Sequence, residues 1–173
     1  MRYVVYFSEK KINPREVEIR KMDPDKMKEK QYRQMDDLDL QTSRLHRGWD
    51  AELGLRKSKA RKPLDKKELK DASKKGGFLM AAVDKDDNIL GYCLPGIKSD
   101  FYDSTAWLND LVVDESARGL GIGKRLVRET LKELKSKGVK NVMLNVSLQN
   151  KPALGLYEKT GFKPWEYTMV KNL

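Results

Sequence analysis

Residues 111–125 read LVVDESARGLGIGKR, and this stretch decides the fold. A strand-like apolar run, Leu111-Val112-Val113, ends at acidic turn residues, and a long helical pattern begins after three alternating glycines. The bare backbone N–H groups at the start of a helix bind phosphate groups, and glycines leave room for the phosphate to approach. The stretch therefore predicts a strand, a loop and a helix that together bind a phosphate or pyrophosphate ligand.

The spacing of the glycines excludes two common nucleotide loops. A Walker loop requires a glycine where Arg118 stands and a hydroxyl residue where Arg125 stands. A dinucleotide loop requires G-x-G-x-x-G, whereas Gly119, Gly121 and Gly123 give G-x-G-x-G. A glycine-rich turn without any ligand remains an alternative at this point.

Length and composition indicate one highly charged domain. The chain has 173 residues, of which 36% are charged and 39% hydrophobic, enough to bury a single core. No apolar run approaches the length of a membrane span, and the apolar N-terminus is too short for a signal peptide. With only Cys93 and His46, neither an internal disulfide nor a Cys/His metal cluster is possible, which favours a reducing cytoplasm and a reaction without metal.

Positive charge is concentrated in the first half of the chain. The formal net charge is +10, and residues 1–75 carry 22 Lys and Arg against 14 Asp and Glu. Residues 55–62 include the most basic stretch. Such charge fits an anionic cofactor, an acidic substrate, nucleic acid or a plain solvated surface. No recognition-helix or RNA-binding signature accompanies it, so nucleic-acid binding is not favoured.

Periodicity predicts one mixed sheet flanked by helices, in the order β-α-α-β-β-β-α-β-α-β. Asp23 before Pro24 is a helix cap, and the acidic stretch 36–39 divides the following apolar pattern into two helices. Alternating apolar residues predict strands over 142–148 and 162–170, with a further edge strand added over 3–7 within residues 1–13. The class is α/β or α+β with a single core over residues 1–173.

A second motif allows a family to be named. Asn150-x-x-Ala153-x-x-x-Tyr157-Glu158-Lys159-x-Gly161-Phe162 lies one helix and one strand after Arg118-x-x-Gly121-x-Gly123. Together the two motifs resemble the GNAT superfamily of N-acetyltransferases over residues 76–170. The resemblance implies direct attack of a primary amine on the thioester of acetyl-CoA. The N-terminal half matches only in element order and is expected to select the acceptor, whether a small molecule or a protein.

The resemblance also implies how the donor is held. The backbone N–H groups of the loop bind the pyrophosphate, and the side chains at its two ends either add positive charge or face solvent. The strand residues Leu111, Val112 and Val113 pair with the pantetheine arm, and a backbone N–H there polarises the thioester carbonyl. Asn150 caps its helix and also contacts the pantetheine. The loop residues are Arg118, Gly119, Leu120, Gly121, Ile122, Gly123 and Lys124.

Two residues are candidates for proton transfer. Tyr157 is the expected general acid, since its reference pKa near 10 lies only modestly above the roughly 8.5 of the departing thiol. Asn109 stands where some relatives carry a glutamate base, which leaves Asp110 to act as base, directly or through water, or to orient the substrate.

The acceptor and two other functions stay open on the sequence alone. The aromatic and acidic residues of 100–107 suit a cationic amine, whereas the basic segment 55–62 suits an acidic acceptor. A CoA-binding regulatory module without catalysis and a basic nucleic-acid-associated protein are the competing functions. Homodimers are common in the superfamily that the chain resembles, so the resemblance also implies a homodimer.

Overall fold

A computed structural model of the chain describes residues 12–55, 66–98 and 104–172, which form one sheet with helices on both faces. The expected order of elements is confirmed as far as the last helix. The strands are β1 (Glu18–Met22), β2 (Leu79–Val83), β3 (Ile89–Lys98), β4 (Thr105–Val113) and β5 (Asn141–Met143). The helices are α1 (Glu29–Glu52), α2 (Lys66–Lys74), α3 (Ile122–Ser136) and α4 (Lys151–Lys159).

The sheet follows the order β1-β2-β3-β4-β5, and only β4 and β5 pair in parallel. That parallel pairing joins residues 105–107 to 141–143 and ends there, while β4 continues to Val113 beside β3. Residues 108–113 thus have a strand neighbour on one side only. We call the space on their other side the gap.

Two apolar clusters cover the two faces of the sheet. On one face Ile122, Leu126 and Leu134 of α3 pack in the same cluster as Ala106 and Leu108 of β4. On the other face Tyr32, Met35 and Leu38 of α1 pack in a cluster with Val112. The sheet is therefore a middle layer, with α3 on one side and α1 on the other.

The helical N-terminal region differs from the expectation in two respects. Asp23 caps a short 3-10 helix over Pro24–Lys26, and α1 begins five residues later than that cap predicted. The stretch 36–39 does not break α1, because Leu38 is buried against the sheet and packing outweighs the weak helix propensity of aspartate.

Two predicted strands are wrong in extent. Strand β5 stops at Met143 instead of reaching 148, and the described residues 162–172 form no strand. A strand persists only where a neighbour satisfies its backbone, and β4 no longer pairs beyond Met143. The predicted strand over 3–7 lies outside the described residues, as do 56–65 and 99–103.

Candidate active site

The glycine loop has a backbone that only glycine adopts at low cost. Gly119 and Gly121 both have φ of +77°, in the left-handed region, and Gly121 immediately precedes α3. No atom lies within 4 Å of the position that a Cβ would take at either residue. The outer side of the loop is therefore open for a ligand.

Six successive backbone N–H groups of this loop donate to no backbone carbonyl of the described residues in regular hydrogen-bond geometry. The N–H of Arg118 donates to the carbonyl of Glu115 at 3.3 Å, and that of Arg125 donates to the carbonyl of Gly121 at 3.1 Å. In the described part of the chain, the N–H groups between them, 119–124, have no hydrogen-bond acceptor. They lie at the positive end of a 15-residue helix, which is where proteins bind phosphate groups.

The two basic side chains of the loop differ in their contacts. The guanidinium of Arg118 donates from Nε to the carbonyl of Val113 at 3.1 Å and lies 3.6 Å from the Glu115 carboxylate. Arg118 thus joins the end of β4 to the loop. Lys124 is half-buried, and within the described ranges no ion pair involves it. Lys124 is accordingly the better placed of the two to add charge for an anion.

Gln41 of α1 fixes the turn between β4 and the loop, a role that sequence reasoning missed. Its amide donates to Asp114 Oδ2 at 3.1 Å and accepts from the backbone N–H of Glu115 at 3.3 Å. The partners are more than 70 residues apart in the chain, so no local pattern could have indicated this contact.

A β-bulge decides which face of the sheet Asp110 occupies. Leu94 pairs with Asp110 but Pro95 pairs with Leu108, which leaves Asn109 as the extra residue on β4. Since side chains alternate along a strand, one extra residue moves all later side chains to the opposite face. Leu108 accordingly faces α3, whereas Asp110, in phase with the buried Val112, faces α1.

Asp110 is an unusually weak acid for an aspartate. Crowding by the protein, with a smaller effect from the Asp39 carboxylate of α1, raises the pKa of Asp110 to about 6. The side chain is nevertheless exposed to water, so this crowding is that of an open cleft rather than a closed core. Because water screens the group, the free energy attached to the shift is smaller than a closed cavity would give.

Tyr157 lies at the same site. Burial raises its pKa to about 12, with smaller contributions from the neighbouring Cys93 and Asp110 side chains, so its hydroxyl is protonated at neutral pH. The ring packs edge-on against Phe162 with centroids 5.6 Å apart. The Asp110 carboxylate is thus near enough to Tyr157 to influence its pKa.

Helix α4 is held against the glycine loop. A Cβ at Gly123 would come within 3.0 Å of Leu156 Cδ1, which shows how closely α4 approaches the first turn of α3. At the other end of α4, Asn150 Oδ1 accepts from the N–H of Ala153 at 3.2 Å, so the predicted helix cap is confirmed. The contact of Asn150 with a pantetheine stays a prediction.

A separate cavity of about 810 Å³ lies between β1 and the outer face of α3. Its walls come from Ile19, Arg125, Arg128, Glu129, Leu131, Lys132 and Lys135. Arg125 already donates to the carbonyls of Pro14 and Val17, at 2.9 and 2.6 Å. None of the predicted site residues lines this cavity, so we place the candidate active site at the gap.

Comparison with known proteins decides the family. The model of the acetyltransferase (GNAT) family matches residues 42–162. The chain belongs to the GNAT family. A mycothiol acetyltransferase from Saccharopolyspora erythraea is 34% identical over 100 residues, which are 58% of this chain and 32% of that protein. The chain thus spans about a third of the length of this GNAT relative.

Two solved structures share the fold. A mutant of the BH1408 protein from Bacillus halodurans superposes with a TM-score of 0.74 at 22% identity, covering 90% of this chain and 99% of that one. The NatC complex bound to Gag peptide and CoA contains a chain that superposes with a TM-score of 0.65 at 21% identity, covering 87% of each chain. The mixed sheet described above is therefore a GNAT fold.

Metal ligands and membrane-spanning helices are two further features of the described residues. In the part of the chain that the structure describes, no three His, Cys, Asp or Glu residues group as metal ligands. Reaction without a metal stays a prediction. None of the described helices is long and apolar enough to cross a membrane.

Proposed function

We propose that this protein transfers an acetyl group from acetyl-CoA to a primary amine. One observation carries the proposal: the six unpaired N–H groups of 119–124 open beside the unpaired side of β4, where Asp110 and Tyr157 also lie. A donor with a pyrophosphate and a long amide arm fits such a loop and strand edge.

The residues of the donor half, 76–170, would hold acetyl-CoA in three places. The loop N–H groups and Lys124 bind the pyrophosphate, since they combine free donors with positive charge. The unpaired side of Leu111, Val112 and Val113 offers backbone groups to the amides of the pantetheine arm. Asn150 retains its side-chain N–H donors for the same arm, because the cap uses only its oxygen.

Asp110 is the proposed base. A carboxylate with a pKa of about 6 is ionised at neutral pH and is more basic than an ordinary aspartate. It accepts one proton from the attacking ammonium, directly or through water, and the neutral nitrogen forms a bond to the thioester carbon. A backbone N–H of 111–113 stabilises the oxyanion, a kind of contact typically worth about 3–4 kcal/mol.

Tyr157 is proposed to assist the departing thiolate as the C–S bond breaks. The raised pKa of about 12 exceeds the reference thiol pKa by about 3.5 units, so full proton transfer is uphill by about 5 kcal/mol at these values. We therefore expect the Tyr157 hydroxyl to act first as a hydrogen-bond donor to sulfur. The nitrogen loses two protons in all: the first passes through Asp110 to water, and the second, lost after the C–N bond forms, neutralises the thiolate.

We also propose a cytoplasmic location and a homodimeric assembly for the protein. The buried free thiol of Cys93 supports a reducing compartment such as the cytoplasm. A homodimer is proposed on the family resemblance alone.

The decisive experiment compares two glycines with the same backbone conformation. Gly121 and Gly138 have φ of +77° and +81°, and neither has an atom within 4 Å of its Cβ position. Replacement of either glycine by alanine costs a similar backbone strain energy, about 1 kcal/mol. Only Gly121→Ala places a methyl group in the proposed phosphate site.

Calorimetric titration with acetyl-CoA measures the outcome. We expect Gly121→Ala to raise the Kd for acetyl-CoA at least tenfold and Gly138→Ala to leave it within twofold of wild type. Equal affinities in the two variants would refute the loop as the donor site. A second assay measures the free thiol released from acetyl-CoA when a panel of amines is added. Thiol release indicates an enzyme, whereas acetyl-CoA binding without thiol release indicates a CoA-binding module that lacks catalysis.

A further inference from the structure

The cavity between β1 and α3 has walls that are fixed at both ends. At one end the Arg125 guanidinium donates to two backbone carbonyls of the segment before β1, and at the other the Lys21 ammonium lies 2.6 Å from the Glu133 carboxylate. Ile19 lies between these two contacts and packs on the α3 side of the sheet. The cavity volume of about 810 Å³ is within the range of small-molecule sites, which are usually preformed.

Four cationic side chains of α3 line this cavity in one row. They stand at intervals of three, four and three residues, which places them on one face of the helix. At a rise of about 1.5 Å per residue, the row is about 15 Å long. The members of the row are Arg125, Arg128, Lys132 and Lys135. A ligand in the cavity therefore meets positive charge along its length.

Most of this positive charge is uncompensated. Glu129 is the carboxylate in the cavity wall, and it pairs with Lys132 at 2.7 Å. Among the described residues, Arg125, Arg128 and Lys135 form no ion pair. Like charges along one helix face repel one another, so an anion that binds between them is favoured. The cavity therefore suits an anion with several negative charges.

Arg125 is already held in place for such an anion. Its side chain is half-buried, and one N–H of each terminal nitrogen donates to a backbone carbonyl, at 2.9 and 2.6 Å. Its remaining N–H groups have no acceptor among the residues that the structure describes. A guanidinium that is fixed before binding loses little conformational entropy, and it can bind phosphate oxygens in pairs. Arg128 lies one turn further along α3, is exposed and can bind a second phosphate.

An apolar part of the wall lies between the two ends of the row. Leu131 lines the cavity and belongs to neither core cluster, and Ile19 lines it from the β1 side. A phosphate group alone leaves both side chains in water, whereas a flat heterocyclic base covers them and removes apolar surface from water. The wall thus combines cations for phosphate groups with an apolar contact for a base.

We propose that this cavity is a second nucleotide site, which binds a nucleoside di- or triphosphate. The phosphates contact Arg125 and Arg128. The base lies against Ile19 and Leu131, and Lys135 donates to its acceptor atoms. The inference does not depend on the proposed acetyl transfer, because no residue of the glycine loop lines the cavity.

Calorimetric titration with ATP tests the site. The protein is first saturated with acetyl-CoA, so that the glycine loop is occupied, at an ionic strength of about 0.15 M. We expect one ATP to bind per chain, with a Kd about tenfold lower than that of inorganic tripolyphosphate, which has the phosphates without a base. No binding of ATP at millimolar concentration would overturn the inference.

Two charge reversals separate a site from general attraction to a basic protein. Arg128→Glu and Lys137→Glu change the net charge equally, and both residues are exposed. Arg128 lines the cavity, whereas Lys137 follows the last residue of α3 and lies outside it. We expect Arg128→Glu to raise the Kd for ATP at least tenfold and Lys137→Glu to leave it within twofold. Equal effects of the two reversals would exclude the cavity as the site.

A substitution in the apolar wall tests the contact with the base. Leu131→Ser should raise the Kd for ATP about fivefold and leave the Kd for tripolyphosphate within twofold. Because Leu131 lies outside both core clusters, we expect this variant to fold, which circular dichroism checks. An unchanged ratio of the two Kd values would show that no base lies against Leu131 and would overturn the nucleotide assignment.

Other ligands distinguish the remaining occupants. Duplex DNA or vesicles of anionic lipid that bind more tightly than ATP, and that Arg128→Glu releases, would show that the cationic row serves a polymer or a membrane instead. Displacement of ATP by acetyl-CoA would place ATP at the glycine loop. Each of these results overturns the inference and leaves acetyl transfer intact. Absence of thiol release with every amine would refute the enzyme and leave the nucleotide site standing.

Discussion

The two sides of the gap differ in how completely the chain builds them. On the donor side, the glycine loop, the start of α3 and Leu156 of α4 are in close contact, and Gln41 fixes the preceding turn. On the acceptor side, α1, residues 144–149 and the C-terminal segment meet through two exposed side-chain hydrogen bonds. The donor side presents a closely packed loop, whereas the acceptor side presents exposed apolar side chains such as Leu148 and Met169.

The proposed function gives a physical reason for this difference. A pyrophosphate is the same in every reaction cycle, so a rigid set of N–H donors loses no binding energy to reorganisation. Substitutions should accordingly separate cleanly into donor effects and acceptor effects.

The largest expected effect is on the chemical step shared by both sides. Tyr157→Phe removes the hydroxyl that is proposed to donate to the departing sulfur and keeps the ring that packs on Phe162. We expect kcat to fall about a hundredfold and the Kd for acetyl-CoA to change less than threefold. Equal kcat values for mutant and wild type in a thiol-release assay would remove Tyr157 from the mechanism.

Asp110→Asn removes the proposed base. In the wild type, kcat/KM should fall as the pH drops through about 6, because Asp110 becomes protonated there. In the mutant, activity at pH 8 should be about thirtyfold lower and this acid limb should disappear. A limb that persists near pH 6 in the mutant would assign it to another group.

The same mutant should be more stable than wild type at pH 8. The pKa of Asp110 is higher in the folded state than its unfolded reference near 4. The protonated carboxyl therefore adds to the free energy of unfolding below pH 4, and this contribution is lost as the pH rises through 6. Asparagine carries no charge and avoids that loss. After allowance for screening by water, we expect Tm to rise by about 2–3 °C at pH 8 and to match wild type near pH 4.

The smallest effects should separate the two sides of the gap. Gln41→Ala releases the turn before the loop and should raise the KM for acetyl-CoA about threefold. Glu52→Ala releases Gln149 and should raise the acceptor KM about twofold instead. Steady-state kinetics with each substrate varied in turn checks both, and a reversal of the two patterns would contradict the division between donor and acceptor sides.

The same division explains what the sequence could predict. The glycine spacing, the cap at Asn150 and the face of α3 are local patterns, and the structure confirms the elements they indicated. The bulge at Asn109 and the Gln41 contact depend on partners distant in the chain, so local patterns contained no trace of them. Apolar residues alternate over 142–148 and 162–170 as they do in strands. The prediction still failed beyond Met143, because a strand also needs a neighbouring strand to pair with, and alternation does not supply one.

The most direct test of the account is the response of the backbone amides to acetyl-CoA. In a ¹H–¹⁵N correlation spectrum, the account predicts that the N–H signals of 119–124 shift most on saturation, because these six groups gain acceptors. The Gly138 signal should stay in place. Largest shifts around Arg128 and Lys132, at the cavity between β1 and α3, would place the donor elsewhere and contradict the account.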